Sequence, residues 1–525
     1  MNSLDYPCSG ADAFAHLLHE QGVEIVFSVM GNQVNDIAFA LNRMGIELIT
    51  CRHEGNATMM AEAYARASRR IGVVLVIPGP GVSNTASGLL EAQMNCSPVL
   101  VVSVRQPARF PNMAADKLFH GLDHCGFTST ITGYRGSISN VSDFEIHSRR
   151  ALETLLDGRP RPAFLEFTLD FLRQTLAQPL WVALKQTPLL PPAETLQEAA
   201  QLITSSRRPL ILAGRAVLAS DAVRSLHELA VHTQLPVLTT TLGKGAFNER
   251  HPLYMGKLYE PACRGLIADA DLLIAIGTRF SQVDTEDWRI PLSAPLIHVD
   301  PGYEQFNSAY DVEVALGGDL RSTLDEIKRL LPTPRNDWDL PTVRSDIDLQ
   351  RGAEPLAATL FHELLKPGDM LVVDVHEQGY PLVEHLRLDN QDFLFSGTSL
   401  CLGYGVPAAI GARFARKTGR IVAFCGDGGF IMSSAELATA VHYGLDIVFL
   451  VANDNAYGTI KNHQITRYGT SLGVELSNPE LKAFSHAFGL AYRAADSVEA
   501  LYPVLRWALE KSGPVVVEVD KSLLV

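Results

Sequence analysis

Two oxygen-rich stretches stand out by spacing: Gly426-Asp427-Gly428-Gly429, and Asn453-Asp454-Asn455-Ala456-Tyr457-Gly458, whose aspartate follows the first by 27 residues (454 − 427). Asp427 and Asp454, with the carbonyl of Ala456, make an all-oxygen donor set suited to magnesium, which keeps near-octahedral geometry and takes phosphate oxygens as further ligands. The amides of Gly426, Gly428 and Gly429 have no side chains above them and suit a phosphate cradle. Gly-Asp-Gly alone is a common turn, and only the second cluster lifts it above that. Glu54, in Arg52-His53-Glu54-Gly55-Asn56, is a third candidate, although a glutamate at a helix start ordinarily serves the helix dipole. Two histidines, His120 and His463, are of a type suited to proton transfer near neutral pH, set against the commoner use of a lone histidine on a surface or in a satisfied core.

The elements that must position these residues can be read from periodicity. Arg420 to Cys425 is a β-prone run ending at glycines, which puts Asp427 on a tight turn at a strand's C-terminal edge, where open α/β sheets bind ligands. Ser433 to Tyr443 has helical spacing, Gly444 stops it, and Ile447 to Val451 predicts the next buried strand. Both polar clusters thereby reach the same sheet edge. Near the N-terminus, Ser9 to Gln21 reads as a helix and Glu24 to Val29 as a strand, with Gly31-Asn32-Gln33 turning into the next helix. A strand at Glu47 to Cys51 leads into the Glu54 helix. Gly72 to Ile77 and Val99 to Val104 predict further strands, and Gln106 to Phe127 is long enough to be an active-site loop.

A proline-rich stretch, Leu176 to Glu194, predicts a linker, and Leu331 to Asp348, with prolines at 332, 334 and 341, a second. Between them strands are expected at Pro209 to Ala213, Pro236 to Thr239, Leu272 to Ile276 and Leu296 to Val299. After them come Asp369 to Val373 and the stretch described first. The expectation is an α/β protein of three doubly wound parallel-sheet domains at 1–178, 190–335 and 350–525. With 525 residues and 47% hydrophobic content the chain can bury several cores. A net charge of −14 argues against nucleic acid or an anionic membrane as partner, leaving small molecules. No apolar run reaches the ~20 residues of a membrane span. Asp5 and the absence of a basic-then-apolar order argue against a signal peptide. Seven cysteines without metal-ligand spacing fit a reducing cytosol.

The paired Gly-Asp-Gly and Asn-Asp stretches resemble the diphosphate-binding motif of thiamine-diphosphate enzymes, in which an Asn-Asn or Asn-Asp pair follows about 25 to 30 residues after Gly-Asp-Gly. Asn is commoner in the family where Asp454 stands, and either residue supplies an oxygen. Arg52-His53-Glu54-Gly55-Asn56-Ala57 with Met60 to Arg66, and Gly79-Pro80-Gly81 with Asn84, resemble the acetolactate synthase and 2-oxo acid decarboxylase branch. The order implied is a pyrimidine-binding, a central and a diphosphate-binding domain, matched more loosely in the middle at Leu242 to Phe247, His251 to Gly256 and Val299-Asp300-Pro301. By resemblance, Glu54 bonds the cofactor's aminopyrimidine and favours its reactive imino tautomer. Leu402 would wedge between the cofactor rings. His376 and Gln378, in Asp374-Val375-His376-Glu377-Gln378, and Tyr457 would join the glycines 426, 428 and 429 around the diphosphate. Asn32, His120 and His463 would face substrate. Sites shared between subunits are implied, hence a homodimer or homotetramer.

The function expected from this resemblance is cleavage or formation of a carbon-carbon bond beside a carbonyl, by a 2-oxo acid decarboxylase or carboligase. Its rivals are an acyloin or 2-hydroxyacyl lyase like benzaldehyde lyase, a flavin oxidase, and a non-catalytic binding or regulatory homologue. Retention of Glu54, Leu402, Asp427 and Asp454 together argues against the last. Acetolactate synthases usually carry Trp where His463 stands. Benzoylformate decarboxylases have a catalytic histidine where this chain has Ile77. In the central domain Ala213-Gly214-Arg215 is too thin to imply FAD, and Gly277-Thr278-Arg279-Phe280 leaves a flavin open.

Overall fold

The computed structural model describes residues 7–105, 115–178, 189–332, 336–389 and 391–524. Its eighteen principal strands form three six-stranded sheets. Six strands make the first: β1 (Ile25–Ser28), β2 (Glu47–Thr50), β3 (Gly72–Leu75), β4 (Val99–Arg105), β5 (Tyr134–Ile138) and β6 (Ala163–Thr168). They lie in the order β2-β1-β3-β4-β6-β5 with every pairing parallel. The second sheet holds β7 (Pro209–Ala213), β8 (Val237–Thr239), β9 (Tyr254–Lys257), β10 (Leu272–Ile276), β11 (Leu296–Asp300) and β12 (Val314–Gly317), in the order β9-β8-β7-β10-β11-β12. The third holds β13 (Met370–Val373), β14 (Asp392–Phe395), β15 (Ile421–Gly426), β16 (Val448–Asn453), β17 (Ala491–Ala495) and β18 (Val515–Asp520), in the order β14-β13-β15-β16-β18-β17. Each is a parallel sheet in an α/β layer structure, the class expected. The first and third sheets share one strand order, a kinship that residue identity does not reveal.

By contacts the chain divides into two compact units. One comprises the described residues of Met1–Lys185, Leu371–Gly379 and Ser399–Leu523; the other those of Gln186–Met370, Tyr380–Thr398 and Leu524–Val525. Within the second unit, alternate residues of the strands serve opposite faces. Ile211 and Ile274 enter one apolar cluster, whereas Leu210, Leu212 and Leu273 enter another, as expected of parallel strands covered on both sides. The loops after β7 and β10 pack backbone to backbone. Gly214 lies so close to Gly277 and Thr278 that a Cβ would overlap them, so close packing accounts for these glycines.

In the first unit, the Glu54–Ser68 and Gly405–Ala415 helices pack along their length, and Gly411 abuts the Met60 carbonyl with no room for a methyl group. Buried polar residues are matched across this contact. Glu62, fully buried, accepts from Tyr404 Oη at 2.6 Å, Ser97 Oγ at 2.8 Å and Asn95 Nδ2 at 3.1 Å, with Arg66 at 3.6 Å. Glu91 accepts from Asn95 and Ser399. Such a pair of charges tolerates burial only because further hydrogen bonds satisfy it.

Several expectations need correction. The second linker, Leu331 to Asp348, contains most of a helix, Leu340–Arg351, capped by Asp339 accepting from Thr342 N. Pro341 sits in its first turn, where a missing N–H breaks no intrahelical bond. Asp427 opens a helix, Asp427–Met432, rather than standing on a turn. Ser433 to Tyr443 divides into a 3-10 turn, Ser434–Glu436, and a helix, Leu437–His442. Two short strands of the central sheet, β9 and β12, went unpredicted; both are edges. Asp5, Pro334 and parts of the Gln106–Phe127 loop and the first linker (106–114 and 179–188) lie outside the described residues. The seven cysteines are free thiols. Among the described residues no helix is long and apolar enough to cross a membrane.

Candidate active site

Glu54 reaches its position because β2 ends at Thr50 and His53 caps the next helix, its Nδ1 accepting from Gly55 N at 3.0 Å. As the first helical residue, Glu54 is 8% exposed, and its Oε2 accepts from Asn84 Nδ2 at 2.9 Å. The adjoining backbone is held from the third sheet's side. Glu436, wholly buried, accepts the N–H groups of both Arg52 and His53 at 3.0 Å through Oε1, and the Thr439 hydroxyl at 2.7 Å through Oε2. Burial raises its pKa. Glu436 was not singled out from the sequence; the available signal was an acid inside an otherwise apolar helical stretch.

The second cluster forms where β15 and β16 end side by side, Gly426 pairing with Ala452 in register. Asp427 is 2% exposed and accepts from Asn478 Nδ2 at 2.5 Å. Burial first, and the nearby negative Asp454 second, push its pKa up to about 6. Asp454 in turn takes an ammonium: Lys521 Nζ lies 2.5 Å from its Oδ2 and 2.9 Å from Glu377 Oε2. Ala456 N donates to Asp454 Oδ1 at 3.2 Å. The site thus holds two carboxylates close enough to repel and already attracts a cation. Among the described residues, no cluster of three or more His, Cys, Asp or Glu side chains could bind a metal, so a metal here needs carbonyl and ligand oxygens as well.

Around the glycines lie polar atoms without partners. Asp374, at the end of β13, is fully buried; its Oδ1 accepts from Val375 N at 2.7 Å and Gly403 N at 3.1 Å, whereas Oδ2 has no hydrogen bond. Burial pushes its pKa up to about 6. His376, 8% exposed and edge-on to Phe424 at 4.3 Å, leaves both ring nitrogens without a hydrogen bond, and burial pushes its pKa down to about 4. Gln378 is 9% exposed. A Cβ on Gly426 would meet His376 at 2.9 Å, one on Gly428 the Tyr457 ring at 2.9 Å, and one on Gly429 Asp374 Oδ2 at 2.5 Å. Buried polar groups are nearly always satisfied, so three orphaned atoms beside a glycine turn suit a polar ligand such as a diphosphate. Leu402, half-buried, precedes Gly403, which is fastened to Asp374. Asp374 lay within the quoted stretch, but its hold on the Leu402 loop was not foreseen.

The segments that carry Asn32 and His120 both pack on the 77–84 stretch that leads to Asn84, the partner of Glu54. Gly31 packs on Ile77, Gly79 packs on His120, and Asn84 reaches Glu54. Asn32 is exposed at the start of the Asn32–Val34 turn. His120, at φ 56°, stacks on Phe119 at 3.8 Å and leaves Nδ1 without a hydrogen bond. His463 is not drawn in: it is exposed on the Gly458–Tyr468 helix, which buries none of its residues.

Comparison with known proteins bears on all three sheets. Residues 8–126 match the thiamine pyrophosphate enzyme N-terminal TPP binding domain, 196–327 the central domain and 382–519 the C-terminal TPP binding domain. The chain is 30% identical over 531 residues to a probable 2-ketoarginine decarboxylase of Pseudomonas aeruginosa, covering 97% of this chain and 93% of the relative. It is 28% identical over 532 residues to the acetolactate synthase isozyme 2 large subunit of Escherichia coli, covering 98% and 95%. With an acetolactate synthase of Bacillus subtilis it shares 28% over 538 residues, covering 97% and 92%.

Proposed function

From the premise that the chain belongs to the thiamine pyrophosphate enzyme family, in its acetolactate synthase and 2-oxo acid decarboxylase branch, we propose that it decarboxylates a 2-oxo acid and passes the product either to a proton or to a second carbonyl. The observation that carries this reading is the pairing of a buried Glu54, hydrogen-bonded through Asn84, with a glycine cradle ringed by the orphaned atoms of Asp374 and His376.

In this reading Asp427, Asp454 and the Ala456 carbonyl hold magnesium, whose charge takes over the role that Lys521 fills at Asp454. Gly426, Gly428 and Gly429 accept the diphosphate against His376, Gln378 and Tyr457, and Leu402 supports the cofactor's folded shape. Bound there, thiamine diphosphate supplies a nucleophilic carbon and an electron sink. Glu54 keeps its carboxylate aimed at the pyrimidine, with Asn84 fixing its direction. Asn32 and His120 contact substrate and hold or move protons on the carbonyl being made or broken, and His463 joins them when its helix is covered. A homodimer is the smallest assembly proposed, as a homodimer or homotetramer with sites at the subunit interface. The Gly458–Tyr468 helix supports it, since Ile460, Ile465 and Tyr468 are 52%, 45% and 66% exposed.

The test is carbon dioxide release from a panel of 2-oxo acids, among them pyruvate and 2-ketoarginine, with thiamine diphosphate and magnesium, with and without an aldehyde acceptor, and products identified by mass. Release is expected; its dependence on the acceptor separates decarboxylation from carboligation. Silence across the panel with cofactor bound would transfer the proposal to acyloin cleavage.

A further inference from the structure

We propose that His124 and Glu166 form a buried clamp that positions the Gly79 loop, and through it Asn84, Glu54 and His120, for the reaction. The proposal rests on the role given to Glu54 above. His124 is 4% and Glu166 8% exposed. Gly79 N–H points at His124 Nε2 at 2.9 Å, and His124 Nδ1 lies 2.7 Å from Glu166 Oε2 on β6. An amide N–H can only donate, so Nε2 must accept, Nδ1 must carry the proton, and that proton goes to Glu166. The carboxylate thereby selects one neutral tautomer, as second-shell carboxylates do for histidines elsewhere. Arg105 is the further charged group at Glu166, 3.9 Å from Oε1.

What this clamp holds is backbone in an uncommon conformation. Gly79 sits at φ 65° and His120 at φ 56°, both left-handed, and the two lie against each other, a Cβ on Gly79 falling 2.9 Å from the His120 carbonyl oxygen. A non-glycine residue in that region costs on the order of 1 kcal/mol and persists only where its surroundings enforce it. Gly79 also caps the short Pro80–Asn84 helix, which ends on the residue that bonds Glu54. One hydrogen bond, from Gly79 N–H to His124, therefore sets the start of the segment whose other end orients Glu54, while the chain at residues 120–124 carries both His120 and the clamp.

Three variants of the full chain separate positioning from packing. His124→Asn keeps a donor for Glu166 and loses the acceptor for Gly79, His124→Leu loses both, and His124→Gln restores an acceptor near the Nε2 position. Amide exchange across residues 79–84 of the unliganded protein is expected to quicken about tenfold in the Asn and Leu variants and to return towards wild type in Gln. With thiamine diphosphate and magnesium added, the Asn variant should exchange the hydrogen on the cofactor's C2 at least about tenfold more slowly at nearly unchanged cofactor affinity, since Glu54 is misdirected rather than removed. Unchanged amide exchange in His124→Asn would overturn the clamp. Faster amide exchange with normal C2 exchange would overturn its link to Glu54. A wild-type protein that binds no thiamine diphosphate would sink the functional reading alone, and amide exchange in the unliganded protein would still decide the clamp.

Discussion

Glu54 and Asp427 are both nearly buried carboxylates, yet their partners assign them different tasks. Glu54 meets one neutral amide and should tolerate loss of charge structurally: Glu54→Gln is expected to retain thiamine diphosphate binding and lose turnover by about 100-fold or more, measured as cofactor Kd against kcat. Unchanged kcat would remove it from the chemistry. Asp427 faces Asp454 and needs a cation; Asp427→Ala should abolish magnesium-dependent cofactor binding by calorimetry, and normal affinity would place the metal elsewhere. Asp374 gives a pH test. Its folded pKa is raised from 3.8 to about 6, so the folded state binds the proton more tightly, and this contribution to stability, complete below about 4, is lost as pH rises through 6. Asp374→Asn carries no such loss. Its melting temperature relative to wild type should therefore climb between pH 4 and 6, by the equivalent of about 3 kcal/mol for a shift near two units. A flat difference across that window would mean that Asp374 titrates normally. Comparing with wild type cancels His376, whose lowered pKa acts in the opposite sense over the same range.

Pairs of elements explain why particular small residues occur where they do. The Glu54–Ser68 and Gly405–Ala415 helices approach so closely at Gly411 and Met60 that a methyl group has backbone, not a flexible side chain, in its way. Gly411→Ala is expected to lower stability by roughly 1–3 kcal/mol despite alanine's better helix propensity, checked by urea unfolding. A stabilised variant would show that the helices can separate freely. Much of this level was legible in the sequence: strands at Pro209–Ala213 and Leu272–Ile276 match the expected bounds residue for residue, because buried parallel strands are continuous apolar runs bounded by breakers. The edge strands Tyr254–Lys257 and Val314–Gly317 were not legible, being four residues long and set by pairing rather than by pattern. Pro341 marked a helix start and not a linker for the same reason: proline's meaning depends on which N–H groups its neighbours must satisfy.

At the scale of the whole molecule, the exposed apolar residues are the feature to account for. Ile460, Ile465, Tyr468 and, beyond the helix, Leu472 at 84% exposure line a stretch that the chain leaves largely uncovered. If a second copy covers it, Ile465→Asp with Tyr468→Glu should shift the protein towards monomer in light scattering and cost activity together with assembly. An oligomer of unaltered size would send the interface elsewhere.

Motif chemistry and many of the buried strands were open to inference from the chain alone because they depend on neighbours in sequence: glycines where a backbone must stay bare, apolar runs where a strand must be buried, and two aspartates 27 residues apart, each just past the end of such a run. What tertiary structure decided were the order of the strands and pairings between residues 29 to 384 positions apart. Glu436 on the backbone of Arg52 and His53, Asp374 on Gly403, and His124 between Gly79 and Glu166 leave no periodic trace. Each depends on one or two hydrogen bonds at a buried side chain, whose strength comes from the exclusion of water that folding alone provides.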